Sequence, residues 1–307
     1  MVNCWFCYQD AGTSFYHEKC SKRFFGISKV PHLELNSKLL KSLAEQTINE
    51  RIAVSGVQPK LSVTLQKNNE QNRLTIVGLW GEYILKPQHA NFLEMPESED
   101  LTMHLASLFK MPTCAHALLE ASDGNLVYLA KRFDRVNGQK VHMEDFCQLS
   151  EFQTDNKYKG SYEKIGKLIL KYCTQTGLDA LTYFELVLFS YLTGNNDMHL
   201  KNFALLHKKE GVFLSPAYDL LNVNLVNPLD DEEMALTLNG KKKKIKLSDF
   251  DLLAKSLNIP STAVKNSYHK FSTKNNEVQD MIFSSFLSSK SKQLYFEIWT
   301  KKQLLFS

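Results

Sequence analysis

One run of sequence restricts the architecture of this chain more than any other. Residues 178–192 (LDALTYFELVLFSYL) are apolar on nearly every helical face, which specifies a buried helix rather than one lying on a surface. Thr193-Gly194 is a helix stop. A polar loop follows, Gly194-Asn195-Asn196-Asp197-Met198-His199-Leu200-Lys201-Asn202. Residues 203–207 and 212–214 then flank a Lys208-Lys209-Glu210-Gly211 turn in the pattern of a short hairpin, and Asp219 stands just beyond it.

An Asp five residues before an Asn on one short loop, with a second Asp after the next hairpin, is the arrangement a phosphotransferase needs. Phosphoryl transfer asks for positioning and charge neutralisation more than for covalent chemistry. Asp197 would orient or accept the proton of the attacking hydroxyl. The Asn202 amide oxygen and the Asp219 carboxylate would hold Mg²⁺ against the phosphates of ATP. Taken singly, Asn195, Asn196 and Asp197 are ordinary turn formers. The ordered set of buried helix, polar loop, hairpin and acid is what points to a kinase.

The chain has 307 residues, enough for a substantial core and for one bilobal unit or two domains. With 43% hydrophobic and 23% charged residues it reads as a folded globular protein. A formal charge of +4 suits an anionic nucleotide but falls well short of a dedicated nucleic-acid binder, so no direct nucleic-acid partner is expected. No N-terminal apolar region resembles a signal peptide, and the longest apolar run is interrupted by Glu185 and too short to span a bilayer. The expectation is a cytoplasmic protein without a membrane partner, with export by a non-classical signal as the alternative. Its six cysteines would then be reduced, free or metal-bound.

Near the N-terminus Cys4, Cys7, His17 and Cys20 form a Cys₃His set of two tight pairs. Tetrahedral zinc sites are built from such spacing, and four protein ligands would make the zinc structural. The other reading is a knuckle of small buried thiols with His17 at its edge. Cys114, Cys147 and Cys173 are scattered and fit core packing. Residues 35–48 carry one apolar stripe and predict a helix, and residues 52–63 read as strand, tight turn, strand around Gly56. Tyr83-Ile84-Leu85-Lys86-Pro87 places a lysine at the end of a β-like run, where a kinase needs a cation on the α- and β-phosphates. Residues 94–108 predict a helix with Glu94, Glu97, Glu99 and Asp100 at its positive end; dipole matching alone explains the cluster, and if one of the acids pairs with Lys86 the choice is Glu99. Residues 126–130 predict a strand leading into Lys131-Arg132-Phe133-Asp134-Arg135, and the turn at 136–139 marks the change of lobes.

The C-terminal portion has a mainly helical pattern. Ser248 is the expected cap of a segment at 252–257, and Pro260-Ser261 starts another running to Phe271. Two short helices there could suggest a DNA-binding helix-turn-helix, but sparse flanking charge favours packing within a helical lobe. The four lysines at 241–244 read as a solvated turn or a contact for an acidic partner.

With these residues in hand, the chain resembles the HipA-like Ser/Thr kinases, the toxin members of bacterial toxin–antitoxin systems. Val54-Ser55-Gly56-Val57-Gln58-Pro59-Lys60 resembles the family's phosphate loop, Lys86 its ATP lysine and Lys131-Arg132-Phe133-Asp134-Arg135 its hinge. Glu144-Asp145-Phe146-Cys147-Gln148 resembles a block after the hinge, 196–203 the catalytic loop, and Tyr218-Asp219 the metal-binding acid. The matches run in the family's order across roughly residues 50 to 260.

The resemblance implies an α+β, bilobal protein-kinase-like fold with a β-rich N-lobe and a mainly helical C-lobe. The expected divisions are 1–50 (Cys/His knuckle and helix), 51–136 (N-lobe) and 137–307 (C-lobe). It implies ATP contacts from Ser55, Gly56, Val57, Gln58, Lys86, Arg132, Phe133 and His199. Only some fifty residues precede the phosphate loop, which looks like the short HipT form, whose missing subdomain is a separate small protein. A family autophosphorylation serine falls at Ala53, leaving Ser55 as the nearby hydroxyl; a phosphate there would set about two negative charges beside those of ATP. The implied activity is MgATP-dependent phosphorylation of a protein serine, on an aminoacyl-tRNA synthetase, silencing translation. Implied partners are an antitoxin with a DNA-binding domain and the small protein. Competing readings are a small-molecule or lipid phosphotransferase on the same fold and an inactive kinase-like binding module.

Overall fold

The computed structural model describes residues 2–36, 38–43, 60–67, 72–78, 80–89, 91–136 and 138–306. Five strands form an antiparallel sheet in the order β2-β1-β3-β5-β4. They are β1 (Leu61–Gln66), β2 (Arg73–Ile76), β3 (Tyr83–Lys86), β4 (His116–Glu120) and β5 (Leu126–Lys131). Leu61, Val63, Tyr83, Leu85, Val127 and Leu129 alternate onto a buried face, the period-two pattern that fixes register. Strand β3 runs between β1 and β5, so that Lys86 lies opposite Tyr128. Gly81 sits against β1 so closely that a Cβ there would lie 2.6 Å from the Val63 carbonyl oxygen, a close approach only glycine permits.

Before the sheet lie α1 (Glu18–Phe25), ended by Gly26, and a helical stretch, α2, at 38–43. Residues 44–48 of the helix expected at 35–48 and residues 52–59 of the strand, turn and strand expected at 52–63, with Ala53, Ser55, Gly56, Val57 and Gln58, lie outside the described residues; Leu35 and Asn36 are described and not helical, and residues 61–63 open β1. Helix α3 (Met95–Leu108) starts with Pro96 in its first turn and packs on β4 and β5. Its acids are not a solvated cap: Glu97, Glu99 and Asp100 are all buried. Glu94 instead accepts hydrogen bonds from the Ser288 amide and hydroxyl at the start of the last long helix.

A two-strand hairpin, β6 (Arg135–Val136) and β7 (Gln139–Lys140), leads out of the sheet. A second sheet follows in the order β10-β9-β8, from β8 (His142–Asp145), β9 (Ala204–Lys208) and β10 (Gly211–Leu214). The remainder is helical: α4 (Phe146–Leu149), α5 (Tyr162–Tyr172), α6 (Thr176–Leu192), α7 (Val223–Val226), α8 (Leu247–Ser256), α9 (Ser261–Ser272), α10 (Asn275–Ser284) and α11 (Ser289–Gln303).

Helix α6 is the core of this lobe, as its sequence predicts. Tyr183, Phe184, Val187, Leu188, Phe189 and Leu192 are fully buried, each worth about 1.5–3 kcal/mol for its apolar surface. The buried hydroxyls of Ser190 and Thr193 donate to the carbonyls of Leu186 and Phe189, one turn back. Glu185, which interrupts the apolar run, is matched by Lys270 at 2.6 Å and Ser267 at 2.9 Å on α9. The helix closes at Gly194 with φ +66°, and a side chain there would collide with Asn222 and Asn224.

Two local expectations change. Helix α8 starts at Leu247, with Lys246 as its N-cap and the Asp249 carboxylate accepting from the Lys246 amide, so Ser248 lies inside the helix rather than capping it. The lysine run is not merely solvated: Lys241 pairs with Asp249 (2.7 Å), Lys242 with Glu232 (3.1 Å) and Lys243 with Asp231 (2.5 Å), so the acidic partner is the chain itself. Helices α8 and α9 pack on α6, as expected for a helical lobe. Cys114, Cys147 and Cys173 are buried in the core. No helix among the described residues is long and apolar enough to cross a membrane.

Candidate active site

Between the five-stranded sheet and the helical lobe lies a cleft of about 1130 Å³. It is lined by Lys86, Glu99, Asp197, His199, Asn202 and Asp219, residues from four separate stretches of the chain. Arg132 and Phe133 line it where the sheet gives way to the second lobe.

Lys86 comes from the end of β3 and Glu99 from the first turns of α3. Their separation is 2.7 Å, with the second carboxylate oxygen at 2.9 Å, as expected from the sequence. Asp219 pairs with the same ammonium. Burial would strip charge from Lys86, but Asp219 and Glu99 outweigh it and hold its pKa above the usual range. Burial raises Glu99 to about 7 against the pull of Lys86. For Asp219 burial is again opposed, by Lys86 and then Lys60, and the carboxyl is driven well below its ordinary value. Asp219 has φ +59°, a left-handed backbone unfavourable for a side-chain-bearing residue, just after Ala217 is fixed by bonds to Pro112 and Cys114.

The 194–202 loop begins where α6 ends. Asn202 donates its side-chain N–H to the Asp197 carbonyl at 2.9 Å, which turns its amide oxygen away from the loop. Asp197 is held through one carboxylate oxygen by the Tyr158 hydroxyl at 2.5 Å. Burial raises the Asp197 pKa, and the Tyr158 bond and Lys157 only partly offset this. His199 is kept neutral, its pKa lowered to about 4 by burial and the nearby Lys157. Among the described residues His199 Nδ1 and Asn195 Nδ2 are buried without a hydrogen-bond partner, polar atoms of the cleft that a ligand could satisfy. Arg132 makes a two-pronged pair with Asp134 (2.9 and 2.8 Å), and Phe133 packs on Tyr218.

Two cleft residues escaped sequence reasoning. Tyr158 lies in a stretch, NKYKGSY, with no pattern that separates it from a loop. Lys60 was read only as part of the phosphate-loop run; it is open to solvent through the cleft, yet crowding by protein lowers its pKa and its charge acts on Asp219. At the other end of the chain the ligand atoms of Cys4, Cys7, His17 and Cys20 converge within 4.8 Å of one another, and all three cysteines are free thiols.

A curled antiparallel sheet, a helix presenting a glutamate to a strand lysine, and a helical lobe carrying an Asp/Asn loop define a bilobal, protein-kinase-like α+β fold. The chain belongs to the HipA-like C-terminal domain family, whose model matches residues 52–279. It is 33% identical over 219 residues to "Putative kinase Y4dM" of Sinorhizobium fredii, covering 66% of this chain and 52% of that protein. It is 27% identical to the "Serine/threonine-protein kinase toxin HipA" of Shewanella oneidensis, over 62% of this chain and 47% of that one. The chain thus spans about half the length of the curated relatives it matches. Among solved structures, HipA in the Shewanella oneidensis complex of HipA, HipB and operator DNA aligns with a TM-score of 0.65 at 19% identity, covering 86% of this chain and 70% of that one. The Helicobacter pylori proinflammatory kinase CtkA aligns at 0.52 and 14% identity, covering 80% and 93%. Both share the fold.

Proposed function

We propose that this chain is an ATP- and Mg²⁺-dependent serine/threonine protein kinase acting as a bacterial toxin. The observation that carries the reading is the meeting, in one cleft, of the Lys86–Glu99 pair, Asp219, and the Asp197/Asn202 loop. The nucleotide-binding lobe would be 51–136 and the helical lobe 137–307. The residues fit both groups. Asn202 offers a free amide oxygen and Asp219 an ionised carboxylate, hard oxygen donors suited to Mg²⁺. Lys86 offers a buried cation for phosphate oxygens, and the apolar Ile84, Ala130 and Met143 line the same cleft, as a base requires.

MgATP supplies the phosphoryl group and, through the metal, neutralises charge as it moves. Glu99 fixes the Lys86 ammonium so that it points into the cleft, and Arg132 and Phe133 border the cleft at the lobe junction. Asp197 orients the acceptor hydroxyl through the carboxylate oxygen not engaged by Tyr158, and takes its proton as the bond from that oxygen to the γ-phosphorus forms and the bond from the γ-phosphorus to the leaving ADP breaks. The raised pKa of Asp197 makes it a stronger acceptor than an exposed aspartate.

The toxin role is supported by the name of the Shewanella relative, and an antitoxin partner by the HipA–HipB–DNA complex. The finer assignments rest on the family resemblance: an aminoacyl-tRNA synthetase as substrate, a small protein partner of the HipT type, and modification at Ser55. The test is incubation of wild-type and Asp197→Asn chains with MgATP and a bacterial lysate, following labelled phosphate. A protein band labelled by wild type alone supports the reading. ATP turnover with label on small molecules or lipid instead overturns the protein-kinase assignment, and ATP binding without any transfer overturns catalysis.

A further inference from the structure

The N-terminal Cys/His cluster has the dimensions of a filled tetrahedral site. Cys7 Sγ lies 3.5 Å and Cys20 Sγ 3.8 Å from His17 Nδ1. A zinc ion bonded at about 2.3 Å to sulfur and about 2.0–2.1 Å to nitrogen separates those atoms by about 3.6 Å at the tetrahedral angle. His17 Nε2 meets the Asp10 carbonyl at 2.9 Å, which makes Nε2 the protonated nitrogen and turns the lone pair of Nδ1 toward the sulfurs. A disulfide would use only two of the three converging thiols and leave the third sulfur and the imidazole without a role.

The knuckle is not an isolated appendage. Tyr8, immediately after Cys7, adopts φ +59° and donates its hydroxyl to Asp100 Oδ2 at 2.7 Å. The other Asp100 oxygen is held by His116 Nδ1 at 2.7 Å from β4, and the Tyr8 ring packs on His104 at 4.3 Å. Asn3 donates to the Ser284 carbonyl at the end of α10, and the Trp5 carbonyl accepts from the Leu118 amide in β4. Asp100 directly follows Glu99 on α3. The loop that ties Cys4 to Cys7 therefore reaches, through Tyr8, the same first turns of α3 that hold Lys86, one residue on from Glu99.

We propose that Cys4, Cys7, His17 and Cys20 bind one structural Zn²⁺, and that this zinc clamps Tyr8 onto Asp100 and so positions the helix that presents Glu99 to Lys86. The metal site stands independently of the kinase reading; the nucleotide readout of the clamp rests on it.

The purified full-length chain should contain one zinc by elemental analysis. Cys7→Ser and Cys20→Ser should lose it, and Cys173→Ser should keep it. If the knuckle variants do not fold, exchange of the wild type with Co²⁺ should give the intense visible bands of tetrahedral thiolate coordination. A wild-type chain that neither contains zinc nor takes up Zn²⁺ or Co²⁺, or a Cys20→Ser chain that keeps full occupancy, overturns the site. Removing zinc from the wild type by chelation should speed hydrogen exchange in residues 95–108 but not in α9, and weaken ATP binding about tenfold. The same removal should add little in a Glu99→Gln chain, because both act on one pair. Equal weakening in the two backgrounds overturns the clamp while leaving the metal. A zinc-loaded chain that binds no ATP counts against the kinase reading, and the clamp is then judged by hydrogen exchange alone.

Discussion

Tyr158 donates its hydroxyl to Asp197 at 2.5 Å, joining two residues 39 positions apart and fixing one face of the carboxylate that the chemistry needs. The bond gives a loop aspartate, which taken singly is an ordinary turn former, a defined orientation, and it partly offsets the burial that raises its pKa.

Tyr158→Phe should lower kcat by about tenfold, less than the ~10²–10⁴-fold that proton transfer itself contributes. The Tyr158 bond stabilises the ionised carboxylate, so its loss raises the Asp197 pKa further. The acid limb of the kcat–pH profile should therefore move to higher pH. A limb that stays in place would mean that Asp197 does not act through its ionised form.

Asp197→Asn should reduce transfer by about 10²-fold or more while leaving ATP affinity nearly unchanged. Single-turnover phosphotransfer and equilibrium nucleotide binding measure the two effects separately. Transfer equal to wild type would remove Asp197 from the role assigned to it.

Asp219→Asn removes both a metal ligand and one partner of Lys86. It should abolish the strengthening of ATP binding by Mg²⁺, measured as the ratio of affinities with and without the metal. An unaltered ratio would place the metal on other residues.

Lys86→Met leaves Glu99 buried without its cation, a loss on the order of 3 kcal/mol. Glu99 titrates at about 7 in the folded chain against 4.5 for a free glutamate. The folded state therefore holds an extra proton between those values, and its contribution to stability is present at low pH and lost as pH rises through 7. Removing Lys86 raises the folded pKa further, so the variant's melting temperature should fall more steeply than that of wild type between pH 5 and pH 8.

Gly81→Ala should destabilise the sheet by about 1–3 kcal/mol, since the new methyl group meets the backbone of Val63 rather than a movable side chain. Thermal or denaturant unfolding reads this directly, and a change within ~0.5 kcal/mol would show that β1 can yield.

Much of this molecule was legible from local pattern. The all-round apolarity of 178–192 marked a buried helix, Thr193-Gly194 marked its end, and the hairpin at 204–214 followed from alternation and a turn. The strand ending at Lys86, the strand at 126–131 and the helix that supplies Glu99 were equally readable, because each signal lies within one element. Strand β4, helix α5 and the short α4 were not singled out. Their segments carry mixed patterns, and what settles them is the pairing of β4 with β5 and the packing of α5 on α6.

What the sequence determined by itself is the elements with a strong local period and the spacing of Asp197, Asn202 and Asp219, since residue order and period are local properties of the chain. Only the tertiary structure decided which charges meet. Lys86 finds Asp219 in addition to Glu99, Tyr158 reaches Asp197, the lysines at 241–243 find acids of their own chain, and Tyr8 reaches Asp100 on the Glu99 helix. Those partners are brought together by burial of the apolar faces around them, and no local rule connects positions 8 to 133 residues apart.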